Sequence, residues 1–190
     1  MDNPGDRKII GNSRAKLRYG FNFGFDWYGV DVSATFEGTG NRYWYPGYEN
    51  MAFWGPYCRP YVSYLPKNFM DNVWSEDNPD AYFPRPRGYV AGVGSGRELT
   101  MTNTRYLQNI KYLRFKNLAV GYTLPKKWTR KIHIDKLRVY YSGENICYWS
   151  PLKKVTKYID PEAAYPSNSS GSNGFYPWQK THMFGVEITF

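Results

Sequence analysis

Residues 14–25 alternate between apolar and polar or small side chains without an exception. The apolar members all have odd numbers: Ala15, Leu17, Tyr19, Phe21, Phe23 and Phe25. Because successive side chains of a β-strand point to opposite faces of a sheet, the pattern predicts a strand with one apolar and one polar face. The run is about twice the usual strand length of about five or six residues. It matches the roughly nine to eleven tilted residues with which a strand crosses a bilayer.

Four further segments carry the same alternation. They are residues 30–37, 107–124, 136–147 and 180–190. Gly29 between the first two strands predicts a hairpin turn, and a change of parity at Lys116-Asn117 predicts a β-bulge. The chain is therefore predicted to be all-β, with about five antiparallel strands of a transmembrane β-barrel.

The apolar face of these strands is predicted to contact lipid. On the first hairpin its members are Leu17, Tyr19, Phe21, Phe23, Phe25, Val30, Val32 and Phe36. The mean hydropathy of −0.66 does not oppose this prediction, because the polar half of each barrel strand offsets the apolar half. The sequence contains no run of about eighteen apolar residues, so no transmembrane helix is predicted. The first residues lack the apolar core of a secretory signal, and we expect that part of the native chain precedes residue 1.

Two long connections, at about 41–105 and 149–178, interrupt the strand pattern. Frequent prolines rule out a regular central strand in the first of them, and a short helix is predicted after Pro66. Long extracellular loops and short periplasmic turns are typical of membrane barrels, so these connections are predicted to be extracellular and Phe190 periplasmic.

The first long connection is unusually aromatic. Its cluster comprises Trp44, Tyr45, Tyr48, Phe53, Trp54 and Tyr57. Flat aromatic faces suit contact with a sugar ligand or with a partner protein, but packing of the loop on itself or an interfacial aromatic girdle is favoured. The sequence leaves both interpretations open.

The net charge of +9 is spread over strand faces and turns, apart from a cluster at Lys126, Lys127, Arg130 and Lys131. No nucleic-acid-binding motif accompanies it, so a nucleic acid is not a predicted partner. Cys58 and Cys147 fit no metal or redox motif, and two unpaired thiols are favoured over a disulfide.

The sequence gives little support for a metal site or for an enzyme. The acidic stretch of Asp71, Glu76, Asp77, Asn78 and Asp80 lacks the spacing of an EF-hand loop, so solvated side chains are favoured over a Ca²⁺ site. His133 and His182 stand apart from cysteines and paired carboxylates. No motif of an enzyme is present, and we predict no catalytic residue, metal or cofactor.

About five strands cannot close a membrane barrel, because the smallest such barrels use eight. An open sheet in lipid would also leave backbone polar groups unpaired along both edges, each at a cost of several kcal/mol. The strands must therefore pair with others. The alternative is a soluble β-sandwich that binds carbohydrate, or an adhesin module, for which shorter strands and more frequent turns are expected.

Nearly the whole chain resembles the carboxyl-terminal third of SusC/RagA-type TonB-dependent outer-membrane transporters. The matching blocks, in family order, are GDRKIIGN (5–12), LRYGFNFGFDWYGVDVSATFEGTGNR (17–42), WSEDNPDAYFPRP (74–86), YLRFKNLAVGYTLPKKW (112–128), LRVYYSGENICYWS (137–150) and YPWQKTHMFGVEITF (176–190). Several consecutive blocks make the resemblance more specific than one short motif would be.

The resemblance implies a 22-stranded barrel in the bacterial outer membrane that imports oligosaccharides or peptides. It implies a SusD-like surface lipoprotein as a lid and energy from the TonB complex, which reaches an amino-terminal part that this chain lacks. It also implies that the terminal strand, with Phe184, Val186, Ile188 and Phe190, is the signal read by the barrel-assembly machinery. Residues 1–190 would then be the carboxyl-terminal part of the barrel, and the chain could not transport alone.

Overall fold

A computed structural model describes residues 5, 7–47, 50–58, 65, 67–87, 97–164 and 178–190. The chain divides into two compact units. The sheet unit comprises Ala15–Asn41, Lys111–Pro151 and Trp178–Phe190, and the loop unit comprises Met1–Arg14, Arg42–Ile110 and Leu152–Pro177. Across the described residues, helices are all too short or too polar to cross a bilayer.

The strands have the following bounds: β1 Arg18–Trp27, β2 Val30–Thr39, β3 Tyr43–Trp44, β4 Gln108–Asn109, β5 Tyr112–Thr123, β6 Lys136–Trp149 and β7 Thr181–Thr189. The sheet unit contains one five-stranded sheet in the order β1-β2-β5-β6-β7, and every neighbouring pair is antiparallel. The loop unit contains the two-residue pair β3–β4. The described strands thus do not form the two stacked sheets of a β-sandwich, which removes the structural basis of that alternative.

The turn of the first hairpin is tighter than the sequence predicted. β1 begins at Arg18 instead of residue 14, and its pairing continues to Trp27 opposite Val30. The turn consists of Tyr28 and Gly29 alone, with φ of 47° and 89°. Two positive φ angles are what a two-residue type I′ turn requires, and its twist matches that of the flanking strands. The hydrogen-bonded ladder therefore reaches two residues closer to the turn than predicted, although β1, with ten residues, is shorter than the predicted run.

The bulge predicted at Lys116-Asn117 is confirmed. The pairing register between β5 and β2 shifts between Thr35 and Phe36 of β2, and the register between β5 and β6 shifts between Phe115 and Asn117 of β5. One extra residue in a strand reverses the parity of everything that follows, and Phe115 and Leu118 accordingly lie on the same face.

The pairing register places side chains of similar polarity on the same face of the sheet. Directly opposed residues share a face, and one such row reads Phe25, Val32, Val120, Tyr141 and Phe184 from β1 to β7. The adjacent row, on the other face, reads Asp26, Asp31, Gly121, Tyr140 and Gly185. One face is therefore apolar across all five strands and the other is polar or small; we call them the apolar face and the polar face.

The loop unit has a hydrophobic core of its own. Its largest fully buried members are Trp44, Trp54, Ile110, Leu152 and Ile159. Arg42 crosses this core, and its guanidinium donates to the carbonyl oxygens of Pro161 and Ala164 at 2.8 and 3.0 Å. The described parts of the long connections are thus folded around buried aromatic side chains.

The helical turns differ from the prediction. The helix expected after Pro66 is a single 3-10 turn, Met70–Asn72, because Val73 already has extended backbone. Sequence periodicity missed the other short elements, each of which is only one turn long. They are the α-helical turns Met51–Trp54 and Lys126–Thr129 and the 3-10 turns Gly55–Tyr57, Arg130–Ile132 and Pro151–Lys154.

Candidate functional site

The apolar face exposes large side chains along both outer strands of the sheet. On β1, Phe21, Phe23 and Phe25 are 50%, 57% and 44% exposed. A soluble protein would bury such a continuous patch against another layer. Of the other residues predicted to face lipid, Leu17 and Tyr19 are also exposed, whereas Val30, Val32 and Phe36 on the inner strand are half-buried by their neighbours. Leu17 lies one residue before β1 begins.

An aromatic stack crosses three strands on this face. Phe36 lies between Phe21 and Phe115, with ring centroids 4.8 and 4.4 Å apart and interplanar angles of 15° and 9°. Stacked aromatic pairs contribute about 0.5–1.5 kcal/mol beyond their area, so the stack helps hold β1, β2 and β5 in register. It also gives the face a smooth hydrocarbon surface.

The terminal strand presents the same character. Phe184, Val186 and Ile188 of β7 are 83%, 61% and 48% exposed on the apolar face, and Phe190 follows the strand at 90%. These are the residues that the family resemblance implies as the assembly signal. Their exposure leaves the side chains accessible, and the signal role stays a prediction.

On the polar face, four charged side chains form an ion-pair cluster across β2, β6 and β7. The Arg138 guanidinium makes a two-pronged contact with Asp31, with nitrogen–oxygen distances of 2.6 and 2.9 Å. Glu187 lies 3.6 Å from Arg138 and 3.3 Å from the Lys136 ammonium. The Arg138 side chain crosses β5 at Gly121, where an added Cβ would lie 2.5 Å from both Arg138 and Asp31.

A second group of cations on the polar face lies against aromatic rings. The Arg114 guanidinium is 5.0 Å from the Tyr148 ring centre and 5.7 Å from that of Trp178. The Lys116 ammonium lies 5.1 Å from Trp178 and 3.4 Å from a Glu37 oxygen. Cation–π contacts of this kind fix the ring of Trp178 to the wall formed by β5 and β6.

The aromatic cluster predicted to contact a ligand or the lid lies mostly inside the loop unit. Trp44, Phe53, Trp54 and Tyr57 are each 4% exposed or less, because they pack against one another and against Phe83. This burial favours the alternative in which the aromatics pack the loop on itself. Tyr45 is half-buried, and Tyr48 lies outside the described residues. A contact role for any of them stays a prediction.

The buried phenols of this unit are hydrogen-bonded. The Tyr45 hydroxyl donates to the Leu99 carbonyl at 2.8 Å, and the Tyr57 hydroxyl donates to the carbonyl of Pro84. Burial is the main cause that raises the pKa of both phenols well above the usual value, and burial likewise raises the pKa of Tyr82 and Tyr106. All four therefore stay neutral hydrogen-bonding groups at physiological pH.

A cleft of about 300 Å³ opens in the loop unit beside this aromatic core. Its lining comprises the segment 153–158 together with Met51, Ala52, Phe53, Gly55, Asn68 and Asn72. Phe69 and Phe83 also line the cleft, and each is less than a tenth exposed. Nothing in the sequence pattern predicted this cleft, because its walls come from segments about a hundred residues apart.

The other polar candidates do not converge. Asp71, Glu76, Asp77 and Asp80 are exposed, and the Asn78 amide donates to the Asp71 carbonyl at 2.8 Å. Across the described ranges, no three His, Cys, Asp or Glu side chains form a group that could hold a metal ion. His182 lies 2.7 Å from the Tyr141 hydroxyl, and His133 adopts a left-handed turn conformation. Cys58 and Cys147 are not joined to each other by a disulfide.

The chain is similar in sequence to two TonB-dependent receptors. TonB-dependent receptor P3 of Formosa agariphila is 28% identical over 193 residues, and TonB-dependent receptor P26 of the same organism is 25% identical over 194 residues. Each comparison covers 97% of this chain but only 17% and 18% of the relative. The chain thus spans less than a fifth of the relatives that it matches, a smaller share than the third expected from the resemblance. No protein-family model matches the chain.

Solved structures give the same result. The RagAB peptide transporter aligns with a TM-score of 0.61 and 26% identity, over 96% of this chain and 18% of the other. The RagAB peptide importer in its open-open state, at 21% identity and a TM-score of 0.57, supports the fold alone. The similarity of this chain to SusC/RagA-type TonB-dependent transporters, predicted from the sequence blocks, is confirmed.

Proposed function

We propose that the chain is the carboxyl-terminal wall of an outer-membrane TonB-dependent transporter that imports oligosaccharides or peptides. The observation that carries the proposal is the sheet with one apolar and one polar face. Its strands of nine to fourteen residues are long enough to cross a bilayer when tilted. The apolar face would contact lipid and the polar face would line the barrel lumen.

The open edges of the sheet support closure with further strands. β1 pairs only with β2, and β7 pairs only with β6, within the described strands. In hydrocarbon each unpaired backbone group costs several kcal/mol, so both edges must be paired. Upstream strands of a 22-stranded barrel would provide those pairings.

The partners follow from the same assignment. A SusD-like surface lipoprotein would close over the barrel, the TonB complex would act through an amino-terminal part, and the barrel-assembly machinery would read β7. That one similar structure is a peptide transporter supports peptides as a substrate class. No part of this proposal requires catalysis by residues of this chain, and the relatives are named as receptors and a transporter.

Deletion of the gene for the whole receptor tests the proposal. We expect growth on, and uptake of, a set of peptides or oligosaccharides to be lost, and to return when the full receptor is supplied. Removing TonB should have the same effect on uptake of the same compounds. An adhesin would instead bind its target without TonB, so unchanged uptake with lost surface attachment would contradict the transporter assignment.

A further inference from the structure

We infer that the cleft of the loop unit between Met51–Gly55 and residues 153–158 binds acidic peptides. The inference rests on the proposed function, because it assigns a class of cargo to an extracellular surface of the transporter. The cleft volume of about 300 Å³ is at the lower end of the roughly 300–1,000 Å³ that is usual for ligand pockets. It is large enough to take up part of an extended peptide.

Positive charge is the first feature that selects the ligand. Lys153, Lys154 and Lys157 line one wall, and none of the described lining residues is acidic. Three cations facing one cleft attract carboxylates and repel basic ligands.

The segment that carries the lysines is fixed from below. Leu152 is 1% exposed, and its carbonyl accepts hydrogen bonds from the amides of Val155 and Thr156 at 3.0 and 2.9 Å. The Thr156 hydroxyl, itself in a buried residue, accepts from the amide of Tyr158 at 3.2 Å. Because the backbone is held in this way, the lysine side chains leave it from fixed points around the cleft.

A peptide is favoured over a glycan because a similar structure is a peptide transporter, and the remaining lining residues can contact a peptide. The side-chain amides of Asn68 and Asn72 can each donate to and accept from a peptide backbone. The rings of Phe53, Phe69 and Phe83 are each less than a tenth exposed, and Phe83 packs against the other two with centroids 5.8 and 6.1 Å apart. Tyr158 is the exposed aromatic ring among the described lining residues. The three buried rings add apolar lining that suits an aliphatic side chain.

Binding to the purified full receptor complex tests the inference by calorimetry. The probes are a hexapeptide of alternating glutamate and leucine, its counterpart with glutamine, and a hexagalacturonate. We expect the glutamate peptide alone to bind, and the triple variant Lys153→Gln, Lys154→Gln, Lys157→Gln to weaken it at least about fivefold, as expected for the loss of three exposed ion pairs. Raising the salt concentration should weaken wild-type binding in the same direction.

A matched control removes three charges elsewhere. The triple variant Lys127→Gln, Arg130→Gln, Lys131→Gln changes an exposed turn of the sheet unit and should bind the glutamate peptide like the wild type. Equal affinity for the glutamine peptide, binding of the hexagalacturonate, or equal losses in both triple variants would overturn the inference. Salt-independent wild-type binding would also overturn it, whether or not the variants fold. TonB-dependent uptake in the deletion strain is measured separately, so either proposal can fail alone.

Discussion

A single arginine placed at Phe23 should destabilise the folded receptor in a bilayer by about 2–4 kcal/mol, the cost of a cation at the lipid-facing midplane of a barrel. β1 has ten residues and therefore a length of about 33 Å, which a tilt of about 45° reduces to about 23 Å across the membrane. This matches an apolar band about 25 Å tall. Phe23 is the sixth residue of the strand, close to its middle, and its side chain is 57% exposed on the apolar face.

The matched control is Asn22→Arg. Asn22 lies at nearly the same depth but on the polar face, where an arginine would meet lumen water, so we expect almost no loss. The assay folds each full-length variant into liposomes and titrates it with urea to obtain the free energy of unfolding. Equal losses for the two variants, or a larger loss at Asn22, would refute the assignment of the two faces.

Three further outcomes are expected. Gly121→Val should separate Arg138 from Asp31 and lower the free energy of unfolding by about 1–3 kcal/mol in the same urea titration. Ala119→Val, on the same face, should lower it less, and equal losses would contradict the proposed crossing of Arg138 at the glycine. Arg42→Ala should remove two buried charge-assisted hydrogen bonds and lower the stability of the loop unit by about 2–4 kcal/mol. The loss should appear as faster proteolysis of the loop unit, and an unchanged proteolysis rate would contradict it. Because folding raises the pKa of buried phenols such as that of Tyr57, their stabilising contribution is complete below about pH 10 and is lost as the pH rises above it. Tyrosinate absorbance should therefore develop late, together with unfolding, and an early, freely titrating signal would contradict it.

Local periodicity was enough to predict the five-stranded sheet. In β1 and β2 the alternation is uninterrupted, and each residue's face follows from its parity alone. The parity change at Lys116-Asn117 identified the bulge. Where one face must remain apolar, an inserted residue moves the apolar side chains from odd to even positions, and this change is visible in the sequence. What parity could not fix was the strand ends, which depend on turn geometry at Tyr28 and Gly29.

The loop unit could not be predicted in the same way. Its pair β3–β4 joins residues more than sixty positions apart, and each strand has only two residues, so neither has a detectable period. The Asp31–Arg138 pair, separated by 107 residues, likewise leaves no local mark in the sequence. The aromatic cluster was visible, but exposed and buried aromatics have the same composition, and burial alone distinguishes their roles.

Spin-label accessibility along β1 tests the central claim most directly. Single cysteines at residues 19–26 of the full receptor, in a background without Cys58 and Cys147, would each be labelled and reconstituted in a bilayer. We predict that oxygen, which concentrates in lipid, relaxes the labels at odd positions, and that a water-soluble nickel chelate relaxes those at even positions. Labels that show no alternation, or odd positions that respond to the nickel chelate, would contradict a sheet that faces lipid on one side and water on the other.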